Sequence, residues 1–220
     1  MTLEIYWGSG SSYSWRALLA LEYKRLSYVS HFLHFSKLEH RSPEMLKLSP
    51  RGRVPVLKDD DIVFWEPLAI LLYLDRKYPE PPLFGRTPAE AGAIMHYICE
   101  YQTHYESHLM KIVTAIFFQG VESHLEEMNK ATNVIATEAR NLDGRLTKSD
   151  WLVGDQCSAA DLFVFPEVML LLRALDRREA EDLRARILPI RANYPGIAAW
   201  VDRVRALPGY ETTYPPHWRE

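Results

Sequence analysis

Apolar and polar positions change rhythm once along the chain. Up to about residue 78, short apolar runs are broken by loops; after residue 88, apolar residues recur at helical spacing over long stretches. Residues 3–7 form an apolar run that predicts a strand. Gly8-Ser-Gly-Ser-Ser12 predicts a loop whose serines cap a helix over 13–26. Residues 29–35 alternate loosely, as a strand does, and 41–48 predict a short helix or turn. Two short strands, 54–58 and 62–64, are joined by Asp59-Asp60-Asp61, a hairpin signal. Residues 66–78 then predict a helix that buries Leu68, Leu71, Leu72 and Leu74. The order is β-α-β-(α)-β-β-α.

Proline marks where this pattern stops. Eight of the fourteen prolines fall between Pro43 and Pro88, and none lies between Ala89 and Phe165, where long helices can therefore run unbroken. The pattern predicts helices over 87–118, 122–146, 158–175, 178–188 and 194–205. Ser158-Ala-Ala-Asp161 reads as a capping box, and Pro166 is expected to bend the helix that follows. The chain thus divides into residues 1–80, a stiff connection at 81–88, and a helical domain at 89–220 that ends in an aromatic tail.

Composition narrows the function classes. Hydrophobic residues at 47% and charged residues at 25% are ordinary globular values. A net charge of −3 lacks the basic footprint of a nucleic-acid binder, and no apolar run is long enough to span a membrane. No signal peptide is visible near Met1. Cys99 and Cys157 are well separated, which argues against a disulfide scaffold or a cysteine-based zinc site. A soluble, cytoplasmic protein is expected.

Four motifs carry a resemblance. Ser11-Ser-Tyr-Ser-Trp-Arg-Ala-Leu-Leu-Ala-Leu21 resembles the loop and first helix of serine-type glutathione transferases, close to the zeta-class pattern S-S-C-S-W-R-V. Ser49-Pro-Arg-Gly-Arg-Val-Pro-Val-Leu57 is similar to the family's N-P-x-G-x-V-P segment. Trp65-Glu-Pro-Leu-Ala-Ile-Leu-Leu-Tyr-Leu74 is similar to its E/Q-S-x-A-I-x-x-Y-L helix, and Gly154-Asp-Gln-Cys-Ser-Ala-Ala-Asp161 to its G-x-x-x-(S/T)-x-A-D motif. The resemblance implies an α+β thioredoxin-like N-terminal domain followed by an all-α C-terminal domain, the glutathione transferase fold. It also implies a homodimer, with glutathione as co-substrate.

The implied reaction is attack by the glutathione thiolate on a small apolar electrophile. A free thiol has a pKa of about 8.5, so a hydroxyl donor and a helix N-terminus aimed at the sulfur both favour its ionised form. The resemblance puts that hydroxyl at Ser11, with Ser12 beside it as backup; read from the residues alone, both serines equally suit a helix cap. It assigns glutathione binding to Arg53, Val54, Pro55, Glu66 and Pro67, with a cis bond before Pro55 and the Val54 backbone paired to the cysteinyl backbone of glutathione. Arg16 adds positive potential near the thiolate in that reading. Two positions depart from the pattern. Tyr13 stands where the zeta class has cysteine. Pro67 replaces a serine whose hydroxyl and N–H would hold the γ-glutamyl carboxylate, and proline supplies neither donor.

The first long helix of the second part carries His96, Tyr97, Glu100, Tyr101, His104, Tyr105 and His108. His104 and His108 have metal-ligand spacing, but the other positions drift around the helix and no H-E-x-x-H motif is present, so no metal is expected. With Trp7 and Tyr13, residues Tyr97, Tyr101, His104, Tyr105 and His108 are candidates for the acceptor-substrate pocket; a dimer face or a solvated face fits the stripe equally well. The tail holds Tyr210, Tyr214 and Trp218, which can fold over the pocket, pack on the surface, or dock a protein partner through residues 209–220. Three functions are weighed: a transferase, a glutathione-transferase-like scaffold or regulatory protein that has lost glutathione binding through Pro67, and a zeta-like glutathione-dependent isomerase.

Overall fold

A four-stranded sheet in the order β2-β1-β3-β4 organises the first unit. In the computed structural model, which describes residues 2–177, 184 and 187–219, its strands are β1 (Leu3–Trp7), β2 (Val29–Phe32), β3 (Val56–Asp59) and β4 (Ile62–Phe64). β1 pairs parallel with β2 and antiparallel with β3, with Tyr6 opposite Val56. The hairpin between β3 and β4 forms as its Asp59–Asp61 signal predicts, with Asp60 at φ 52°. β2 stops at Phe32, three residues early, because the chain turns into 3₁₀ turns at Phe35–Lys37 and Glu39–Arg41.

The strands feed helices α1 (Ser12–Tyr23), α2 (Pro43–Leu48) and α3 (Pro67–Lys77). Ile5, Leu18, Leu21, Leu57, Ile70, Leu71 and Leu74 close the core; Leu72, expected inside, is 43% exposed. On the polar side of the central strand, Glu4 accepts from Lys58 at 2.6 Å and lies 2.7 Å from the His31 imidazole, which ties three strands together. Lys24 donates to the carbonyls of Tyr78 and Pro81, and Asp75 accepts the Leu83 N–H at 2.6 Å. Residues 81–84, read from the sequence as part of the connection, are thereby held to the first unit.

The second unit, Gly85–Arg205, is helical. α4 (Pro88–Tyr101) opens on a capping box between Thr87 and Glu90 and runs into α5 (Ser107–Thr114) through a π-helical stretch at Gln102–Glu106. A second such stretch follows at Ala115–Gln119. The single helix expected over 87–118 is therefore continuous but twice underwound to i→i+5 bonding, which periodicity does not reveal. α6 (Leu125–Leu146) and α7 (Ala159–Leu175) follow, then α8 (Ile190–Asn193) and α9 (Pro195–Arg205). α7 runs through Pro166 and is buried along nearly its whole length. Most of the helix expected over 178–188 lies outside the described residues.

The Ser158/Asp161 capping box is present. Asp161, wholly buried, accepts from the Ser158 N–H, the Leu152 N–H and the Trp200 indole at 2.9–3.0 Å. Burial pushes its carboxyl pKa up, and these bonds oppose the rise. This motif holds the helical unit together.

The sequence places residues 206–220 with the helical domain, but by packing they join the first unit. Although proline-rich, the tail forms α10 (Tyr210–Thr213) and a 3₁₀ turn at Pro216–Trp218. Tyr210 is 3% exposed, so its ring serves packing and is not held ready for a partner.

Candidate active site

A cavity of about 340 Å³ in the first unit gathers Ser11, Tyr13, Arg53, Val54, Glu66 and Pro67, residues that the sequence spreads over 57 positions. Ser11 is the N-cap of α1, at φ −76° and ψ 111°, and its Oγ accepts the Ser14 N–H at 3.2 Å. A hydroxyl has one proton to donate besides its acceptor pairs, so capping leaves that proton free for a ligand. Cap and donor are compatible roles at Ser11. No acidic residue in the first turn of α1 offsets the positive end of its dipole. Arg16 is 1% exposed, and its guanidinium carbon lies 4.8 Å from the Tyr13 ring centre, a cation–π contact that supports this wall from inside.

Ser12, expected beside Ser11 as its backup, is 4% exposed within α1 and does not line the cavity. Pro55 is buried behind Val54, and the Val54–Pro55 peptide is cis, as the resemblance implies. Trp7 turns elsewhere: its indole donates to Ser30 Oγ at 2.8 Å and its ring meets Phe32.

The α3 end of the cavity is built differently. Glu66 is the N-cap but makes no side-chain cap bond, and Pro67 is the first helical residue. The N–H groups of Leu68 and Ala69 are the donors that remain in the first turn.

Sequence reasoning missed half of the lining: Phe35, His40, Arg41, Arg51, Gly52 and Trp65. Three arginines, Arg41, Arg51 and Arg53, line the cavity against one acidic residue, Glu66. Gly52 makes this possible. Its φ is +57°, and a Cβ there would meet the Arg41 side chain at 3.2 Å. Burial and the neighbouring Arg41 hold His40 below its ordinary pKa, so the ring is neutral near pH 7.

In the helical unit, Tyr97, Tyr101 and Tyr105 line a second, mostly apolar cavity of about 80 Å³. That is well below the roughly 300 Å³ of a typical small-molecule site. The Tyr101 hydroxyl is spent on buried Glu167, at 2.7 Å. Burial and a bond to Glu138 raise the Tyr105 phenol to about 12. His104 and His108 do not line this cavity: they sit one position before Tyr105 and Leu109, which do, and so lie on the neighbouring face of the helix.

Residues 10–77 match the family model for the glutathione S-transferase N-terminal domain, and 105–208 match that for its C-terminal domain. Glutathione S-transferase 1 of Dianthus caryophyllus is 30% identical over 81% of this chain and 81% of its own length. The chain belongs to the glutathione S-transferase family. Glutathione S-transferase A of Pleuronectes platessa is 28% identical over 99% of this chain and 93% of its own. A solved glutathione S-transferase from the Antarctic clam Laternula elliptica is 27% identical, with a TM-score of 0.80 over 100% of this chain and 95% of that one. A glutathione transferase of Phanerochaete chrysosporium, solved with oxidized glutathione, shares the fold at 22% identity and a TM-score of 0.81, covering 96% and 93% of the two chains.

Membership of the transferase family gives the thioredoxin-like first unit and the helical second unit one explanation. Among the described residues, no helix is long and apolar enough to cross a membrane. Within the transferase frame, the arginine set was hidden from the sequence because its members come from a 3₁₀ turn and a glycine turn ten residues apart. The one signal that pointed there was the glycine inside Pro-Arg-Gly-Arg.

Proposed function

We propose that this transferase-family chain conjugates the thiolate of glutathione to a small apolar electrophile, with Ser11 orienting the sulfur. The observation that carries this reading is the geometry of Ser11: a helix-capping hydroxyl on the cavity wall with its proton uncommitted. A thiol seated there meets that donor and the positive end of α1, and both favour the thiolate. The three arginines suit a tripeptide with two carboxylates, and the Val54 backbone supplies the pairing partner for its central residue. The chain acts as a homodimer in this reading. Ile62 on β4, Trp65 just after it and Leu72 midway along α3 are 47%, 37% and 43% exposed, the kind of apolar surface that a second copy covers.

Pro67 favours a second reading, a scaffold that no longer holds glutathione. The two donors it lacks are each worth about 1.5–3 kcal/mol when they serve a charged group. Titration calorimetry with reduced glutathione, on the wild type and Pro67→Ser in parallel, separates the two. Binding by the wild type in the micromolar to low millimolar range supports the transferase. Binding by Pro67→Ser alone supports the scaffold.

A further inference from the structure

The tail is laid along α1 in the opposite direction. Gly209, at φ +72°, sits so close to the far end of α1 that a Cβ would come within 2.3 Å of the Glu22 carboxylate. Eight residues later, His217 lies against the loop that precedes α1. Between these ends, the Trp15 indole donates to Thr213 Oγ1 at 2.8 Å, and its ring meets Tyr214 and Trp218 edge-on at 5.8 and 5.4 Å. Arg219 pairs with Glu211 at 2.9 Å and covers the Tyr214 ring, which closes the tail on itself.

At the near end, His217 Nδ1 is 2.6 Å from Ser9 Oγ. Gly10 has a φ of +81°, and a Cβ there would come within 2.8 Å of His217 Cε1. The next residue is Ser11, whose N–H donates to the Gly8 carbonyl at 3.3 Å. Two glycines in four residues give this loop wide backbone freedom, so something outside it must fix its shape.

We propose that His217 is a positioning residue for Ser11. Through Ser9 and the bare α-carbon of Gly10, it holds the loop in the shape that aims the Ser11 hydroxyl at the thiol. The proposal rests on the reading of Ser11 as the thiolate donor. His217 does not line the cavity, so it acts through the loop and not on the ligand. A misplacement of the order of 1 Å is enough to cost a large part of such a donor's effect.

The test uses the full chain, with His217→Ala and His217→Asn compared with the wild type. Asn puts a polar atom near the place of Nδ1. His217→Ala is expected to lower kcat about tenfold while KM for glutathione stays within about twofold, and His217→Asn to recover most of kcat. Hydrogen exchange read on residues 9–11, without substrate, should quicken in His217→Ala and return toward wild type in His217→Asn. Unchanged exchange and unchanged kcat in His217→Ala overturn the proposal, as does an Asn variant as impaired as Ala. A wild type that turns over no glutathione overturns the reading of Ser11 instead, and the exchange arm still tells whether His217 holds the loop.

Discussion

Two helices point their N-termini at one cavity and are finished in opposite ways. α1 begins on a serine whose oxygen accepts a first-turn amide and whose proton is left over for a ligand. α3 begins on a glutamate with no cap bond, followed by a proline that takes away a donor. For the fold the two are equivalent, since serine at the cap and proline at the first position are both favourable helix starts. For binding they are not. The α1 end keeps a movable proton at the cavity wall, and the α3 end has given up a backbone donor and a hydroxyl. The same local rule of helix capping therefore serves chemistry at one end and stability alone at the other.

The sharpest way to break this comparison is to remove the hydroxyl at the α1 end. Ser11→Ala is expected to lower kcat/KM for conjugation by about 100-fold, the scale for losing one aimed donor, with glutathione affinity nearly unchanged. Steady-state kinetics with a chromogenic electrophile reads this, and unchanged turnover removes Ser11 from the mechanism. Adding donors at the α3 end is the converse. Pro67→Ser should tighten glutathione binding by about tenfold per recovered bond, measured by calorimetry. Loss of binding in that variant would mean that the ligand already uses Pro67 as an apolar wall.

Stability effects are smaller and should be alike at the two ends. Ser11→Ala should cost about 1 kcal/mol in urea unfolding, the value of a lost cap, and Ser11→Thr should keep most of it. Pro67→Ala should cost about 0.4–1 kcal/mol, chiefly by loosening the unfolded chain. A Pro67→Ala loss several times larger would show that the proline ring packs as a core residue.

Local signals were legible where the physics is local. β1, the β3–β4 hairpin and both ends of α7 follow from runs, a turn and a capping box that neighbours in sequence create. Ser11, Val54 and Pro67 were legible through motifs. What sequence did not reveal depends on long-range approach. Arg41 and Arg51 reach the cavity only because Gly52 turns the chain between them and Val54. Of the one expected stripe, Tyr97, Tyr101 and Tyr105 line the second cavity, while His104 and His108, one position away from Tyr105 and Leu109 on the helix, do not. Sequence leaves the tail's place open between the pocket, the surface and a partner, and its tyrosines and tryptophan found Trp15, about 200 residues away.

The central claim is that the Ser11 end of the cavity makes a thiolate. Ultraviolet titration of glutathione bound to the wild type and to Ser11→Ala reads it directly. The bound thiol should ionise well below its free pKa of about 8.5 in the wild type and return toward that value in Ser11→Ala. A thiol that titrates as free glutathione does in the wild type, or equally in both proteins, would contradict the account.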